Sequence, residues 1–117
     1  IPLTDATRGS FNKETFKKMK KTAYLIDLSR GGIVVEKDLI EALRTGEIAG
    51  AGLDVFEKEP LPQDDPLWEM ENVIVVPHMS AHSPYYMDRA FAIFCDNLGR
   101  FARGEALKYE VDRARGY

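Results

Sequence analysis

Ala23-Tyr24-Leu25-Ile26-Asp27-Leu28-Ser29-Arg30-Gly31-Gly32 is the stretch that decides the fold class of this 117-residue chain. Its first six residues form a short, mostly apolar run of the kind expected of a buried strand. The paired glycines that follow mark a tight turn. Beyond them, Val35 to Thr45 carries Leu39, Ile40 and Leu43 on one helical face, and Gly46 stops the helix. Strand, glycine turn and helix in this order suggest a parallel sheet with helices on its faces.

The alternation extends in both directions. Thr4 to Ser10 is polar and reads as a loop. A first helix is expected from Asn12, a good N-cap, with Phe11 and Phe16 placed as a hydrophobic staple. Phe16 and Met19 then face inward, and the lysines between Lys13 and Lys21 form a solvated face. Downstream, Ile48 to Val55 reads as a second strand, with Gly50 and Gly52 where neighbouring backbone comes close. Residues 56–70 hold Pro60, Pro62 and Pro66 and read as a loop anchored by Trp68. Val73 to Val76 is a third strand, stopped by Pro77. The last helix is expected to be capped by Ser83, with Pro84 in its first turn. Met87, Ala90, Phe91, Phe94, Leu98 and Phe101 form its apolar stripe, Arg100 and Arg103 suit its C-terminal dipole, and Gly104 ends it.

Composition narrows the function. Sixteen Lys and Arg against nineteen Asp and Glu give a net charge of −3, which argues against a nucleic-acid binder. No apolar run approaches the ~20 residues that span a bilayer, so no membrane partner is expected. A single cysteine, Cys95, excludes an intramolecular disulfide framework and suggests a cytoplasmic home. Lying beside the apolar stripe, Cys95 is expected to be buried and inert. The first residue is Ile1, so the chain is expected to open inside a longer sequence.

In an open α/β sheet, ligands bind beyond the carboxyl ends of the strands. Each expected strand delivers a polar residue there: Arg30 from the first, Asp54 and then Glu59 from the second, His78 from the third. One such residue alone has an ordinary structural explanation. Four at one sheet edge make a candidate site. A metal site from His78, His82 and Glu59 is not expected. The spacing of the two histidines is zinc-like only on a helix, and Ser83 and Pro84 place both before one.

Three segments resemble signatures of the D-isomer-specific 2-hydroxyacid dehydrogenases: Met19 to Val34, Ala51 to Pro62, and Asn72 to Ala81. Pro2-Leu3-Thr4 with Thr7 resembles the segment that precedes them in the family, so the resemblance covers nearly the whole chain in order and spacing. Asp27 departs from it, since the family usually has Asn there.

The resemblance implies an α/β fold, part of a Rossmann-like parallel sheet with flanking helices, ending in a long C-terminal helix. It implies that residues 1–82 are the C-terminal half of an NAD(P)-binding domain. Residues 83–117 are then a helix and tail returning towards a substrate domain. Arg30 is implied as the residue that binds the substrate carboxylate through paired charge-assisted bonds. His78 is implied as the acid/base and Glu59 as its partner. Pro2, Thr7, Leu28, Ser29, Arg30, Asp54, His78, Ser80 and Ala81 are implied around the cofactor, NAD or NADP, with Asp54 holding the nicotinamide carboxamide. The implied substrate is a small 2-keto or 2-hydroxy acid such as glyoxylate or hydroxypyruvate. A homo-oligomer, a dimer across a two-fold axis, is expected because half a sheet leaves a strand edge and apolar patches uncovered. No GxGxxG occurs in these residues, so only half of a cofactor site is expected, and the chain alone is expected to be inactive. The alternative reading is an NAD(H)-responsive, corepressor-type scaffold on the same fold.

Overall fold

Three short strands, β1 (Tyr24–Asp27), β2 (Gly50–Leu53) and β3 (Val73–Val75), pair in parallel in the order β1-β2-β3. The computed structural model describes residues 1–117. They divide into two compact units, Ile1–Ser80 and Ala81–Tyr117.

In the first unit, helix α1 (Lys13–Phe16) is one turn long. Asn12 caps it, its side chain accepting from the Glu14 and Thr15 N–H groups, and Phe16 is buried as the staple pattern requires. Helix α2 (Glu36–Arg44) lies between β1 and β2 in sequence, and Gly46 follows it at φ +68°, the left-handed conformation of a helix stop. Phe16, Leu25, Leu39, Leu43, Ile48, Leu53 and Leu67 belong to one core. Phe16, Leu39, Ile48 and Leu67 are fully buried, each contributing roughly 1.5–3 kcal/mol of transfer free energy.

Several expectations are corrected. β1 is not buried on both faces: Leu25 and Asp27 are inside, while Tyr24 and Ile26 are exposed. The apolar run reflected composition, and the packing available differs on the two faces. Close approach holds at Gly50, where a Cβ would meet the Asn72 carbonyl and the Tyr24 ring, but the space beside Gly52 is open. Residues 56–70 contain a 3-10 turn, Pro66–Glu69, capped by the Asp65 side chain. Its anchor is Leu67, buried in the core. Trp68 is half exposed, and its side chain donates from Nε1 to the Pro62 carbonyl.

In the second unit, helix α3 runs Tyr86–Ala102, starting later than expected. Its N-cap is Tyr85, without a side-chain cap bond, and Ser83 contributes its carbonyl to the Tyr86 N–H in place of a hydroxyl cap. None of its residues is buried, so the stripe is present as a pattern but exposed, and Cys95 is exposed as well. No helix is long and apolar enough to cross a membrane.

Candidate active site

The carboxyl ends of the strands position the site by backbone pairing. The Asp54 N–H donates to the Asp27 carbonyl, and the Val76 N–H donates to the Leu53 carbonyl, so each strand end is tied to its neighbour just where the loops depart. The first loop is braced from the N-terminal side. Gly9 and Phe11 donate to the carbonyls of Gly32 and Ile33, and Val35 donates back to Phe11. Gly31 lies so close to the Phe56 carbonyl that a Cβ there would come within 1.8 Å of its oxygen. Only glycine fits, which explains one of the two glycines behind β1.

Within this frame, His78 and Glu59 meet. The imidazole Nδ1 lies 2.7 Å from Glu59 Oε2, while Glu59 Oε1 accepts from the Phe56 N–H at 3.0 Å. The His78 bond, with the Phe56 N–H, holds the Glu59 carboxyl below the usual glutamate range. His78 sits at φ +49°, an uncommon conformation for a residue with a Cβ. Such a conformation persists only where surrounding contacts over-determine it.

Asp54 supplies those contacts. Its side chain is buried, and its two oxygens accept from the N–H groups of Met79 at 2.7 Å and Ser80 at 2.9 Å. Burial by itself pushes the Asp54 carboxyl up, but the hydrogen bonds from Ser80 and Met79, together with His78, hold it below the usual aspartate range. The carboxylate therefore pins the chain immediately after His78.

The remaining sequence-predicted residues are placed as follows. Arg30 is exposed, its Nη1 donating to the Ser29 carbonyl, and it makes no bond to Glu59 or His78. Ser29 donates both its N–H and its hydroxyl to Asp27 Oδ1. At that oxygen Asp27 acts purely as an acceptor, a part an Asn carbonyl would also fill. Thr7 donates its hydroxyl to the Pro2 carbonyl and accepts from the Thr4 N–H, forming a compact turn. Leu28 and Ser29 line a cavity of about 380 Å³ with Ile1, Phe11 and Ile33. Another, of about 360 Å³, lies against Glu59 and His78 and is walled by Phe56, Leu61, Trp68 and Pro77. Ala81 is exposed at the start of the second unit. No group of three His, Cys, Asp or Glu side chains is arranged to hold a metal ion.

Sequence reasoning missed Glu36 and Glu57. Each donates its backbone N–H to the other's carboxylate, joining α2 to the loop that carries Glu59. Glu36 showed only as an acidic residue in a first helical turn, and no local pattern identifies its partner 21 positions away.

A parallel α/β sheet with a carboxylate–imidazole pair at its carboxyl edge defines the class, a dinucleotide-fold domain with that pair at the edge where such sheets bind ligands. Residues 1–80 match the D-isomer specific 2-hydroxyacid dehydrogenase, NAD binding domain, and the chain belongs to that family. It is 47% identical over 105 residues to a glyoxylate reductase of Korarchaeum cryptofilum, covering 90% of this chain and 32% of the relative. A crystal structure of an NADPH-dependent glyoxylate/hydroxypyruvate reductase from Sinorhizobium meliloti, in complex with NADP and sulfate, superposes with a TM-score of 0.92 at 39% identity. It is covered over 38% of its length by the whole of this chain. A D-isomer specific 2-hydroxyacid dehydrogenase from Xanthobacter autotrophicus, in complex with NADPH and MES, gives 0.91 at 44% identity, with coverage of 100% of this chain and 48% of that one. The chain spans between 32% and 38% of the length of the curated relatives it matches.

Proposed function

We propose that this chain is the acid–base part of an NAD(P)-dependent 2-hydroxyacid dehydrogenase that reduces a small 2-keto acid such as glyoxylate or hydroxypyruvate. The observation that carries this reading is the Glu59–His78 pair at the carboxyl edge of the sheet. With Nδ1 engaged by Glu59, Nε2 is the free ring nitrogen, and it gives its proton to the substrate carbonyl oxygen. Arg30 binds the substrate carboxylate through its guanidinium, which in the structure is exposed and free of any carboxylate partner. The pair supports an enzyme over a corepressor-type scaffold, which needs no oriented imidazole.

The side chains present fit the nicotinamide end of NAD or NADP. Leu28 offers an exposed apolar surface next to Ser29, and Asp54, buried with both oxygens already accepting from Met79 and Ser80, is kept in the set on the family resemblance. Pro2, Thr7, Ser80 and Ala81 complete the proposed cofactor set. No glycine-rich phosphate loop occurs in these residues. The bound cofactor supplies the hydride, and the chain supplies placement and the proton. The reading includes residues 1–82 as half of the nucleotide domain and 83–117 as a helix and tail associated with a substrate domain. Neither nucleic acid nor membrane is a proposed partner. The single cysteine supports a cytoplasmic setting.

In the intact enzyme, His78→Ala is expected to lower glyoxylate-dependent NADPH oxidation by ~10²–10⁴-fold. Undiminished turnover would remove His78 from the acid–base role. A two-fold homo-oligomer completes the proposal, supported by the exposed apolar side chains Tyr24, Ile26 and Ile74 on one sheet. Light scattering should report at least a dimer, and a monodisperse monomer would count against it.

A further inference from the structure

We propose that Glu36, in the first turn of α2, is a positioning residue for the Glu59–His78 pair, acting through the segment 56–59. This deepens the acid–base reading above and rests on it.

Two consecutive backbone N–H groups of that segment are taken by carboxylates. Phe56 donates to Glu59 Oε1, and Glu57 donates to Glu36 Oε1. Glu57 has no other acceptor for its N–H. The tie is returned, because the Glu36 N–H donates to Glu57 Oε1 at 3.0 Å. On its carbonyl side, the same peptide lies so close to Gly31 that a Cβ there would not fit. The Phe56–Glu57 peptide is therefore gripped between the turn behind β1 and the start of α2. That peptide is joined at the Phe56 Cα to the Val55–Phe56 peptide, so fixing it limits where the Phe56 N–H can point, and the Phe56 N–H holds the Glu59 oxygen that is not bonded to His78.

The arrangement is costly for a merely decorative surface residue. Glu36 is half buried, and the like charges of Glu57, Asp65 and Glu59 act on it. Burial first, then those like charges, push its carboxyl up, against the Glu57 N–H, which favours the charged form. A charged acceptor makes the stronger bond to a backbone N–H, and a neutral acceptor oxygen in the same place still makes one.

The two ways Glu36 could influence Glu59 have opposite signs. As a nearby negative charge, Glu36 disfavours ionisation of Glu59, so losing the charge alone moves the Glu59 pKa down. As a positioning group, Glu36 preserves the bonds from His78 and Phe56 that hold Glu59 low, so losing it moves the pKa up. The test is a carbon-detected carboxyl NMR titration of the 117-residue chain, with the Glu59 signal assigned by its absence in Glu59→Gln. Glu36→Ala should move Glu59 up by about half a unit. Glu36→Gln keeps an acceptor oxygen and should leave Glu59 unmoved or slightly lower. A downward or absent shift in Glu36→Ala overturns the proposal, as does Glu36→Gln behaving like Glu36→Ala. If Glu36→Ala loses the dispersed amide spectrum of a folded chain, Glu36→Asp, which withdraws the acceptor by one methylene, replaces it with the same expected sign. His78→Ala separates the two readings. If it leaves Glu59 unmoved, the acid–base pair itself fails. If it moves Glu59 up while Glu36→Ala does not, only the role of Glu36 fails.

Discussion

On one face of the sheet Leu25, Ala51 and Leu53 are buried, whereas on the other Tyr24, Ile26 and Ile74 stand 71%, 70% and 70% exposed. Both sets come from the same short strands, and their residues are similarly apolar. The packed face has α1, α2 and the 3-10 turn to supply core partners such as Phe16, Leu39 and Leu67. The open face carries Gly52 with free space beside it. Apolar residues in a strand therefore state a capacity for burial, and the partners present decide how much of it is used. The difference also locates the site. The loops that leave the strands are held by buried or half-buried carboxylates: Asp27 holds Ser29, Asp54 holds Met79 and Ser80, and Glu36 holds Glu57.

The contrast is easiest to break with core deletions. Leu39→Ala is expected to cost about 2–5 kcal/mol, because its neighbours cannot fully collapse into the space it leaves. Ile74→Thr, which keeps a β-branched side chain on the open face, should stay within about 0.5 kcal/mol. Urea unfolding of both variants measures the difference, and equal costs would mean that the open face is covered in solution.

A smaller effect sharpens the account of the loops. Asp54 has a folded pKa below its ordinary value of 3.8, so the stability it contributes is present above that pH and is lost as pH falls through the lower folded value. Glu59 has the same sign relative to 4.5, whereas Glu36, pushed up, has the opposite sign and favours the fold below about 4.5. Asp54→Asn should therefore be less stable than the parent at pH 7, with the gap narrowing below about pH 4. A gap that does not change between pH 7 and pH 3 would mean that the ionised carboxylate is not what holds Met79 and Ser80.

Much of the fold was legible because its signals are local. The Asn12 cap and the Phe11–Phe16 staple, the stop at Gly46, and three apolar runs each lie within a few residues. Trp68 and Cys95 were misread for a common reason. Size and hydrophobicity suggest an anchor or a core thiol, but burial depends on what surrounds the residue, and Leu67 took the anchoring place. Ser83 was misread because a capping residue works only where the helix begins, and α3 begins later.

The candidate site divides in the same way. From the residues alone came the parallel α/β class, the placement of Arg30, Asp54, Glu59 and His78 after successive strands, and, by resemblance, the family. These follow from order along the chain, since a parallel sheet carries every strand's end to the same edge. The resemblance also implied Glu59 as the partner of His78, but only the tertiary structure decided that the contact is made by Nδ1 and Oε2, that both Asp54 oxygens are used on the backbone after His78, that Arg30 bonds neither Glu59 nor His78, and that Glu36 grips Glu57. Each of these is a matter of hydrogen-bond direction over a few ångströms between residues far apart in sequence, and no periodicity or spacing encodes that.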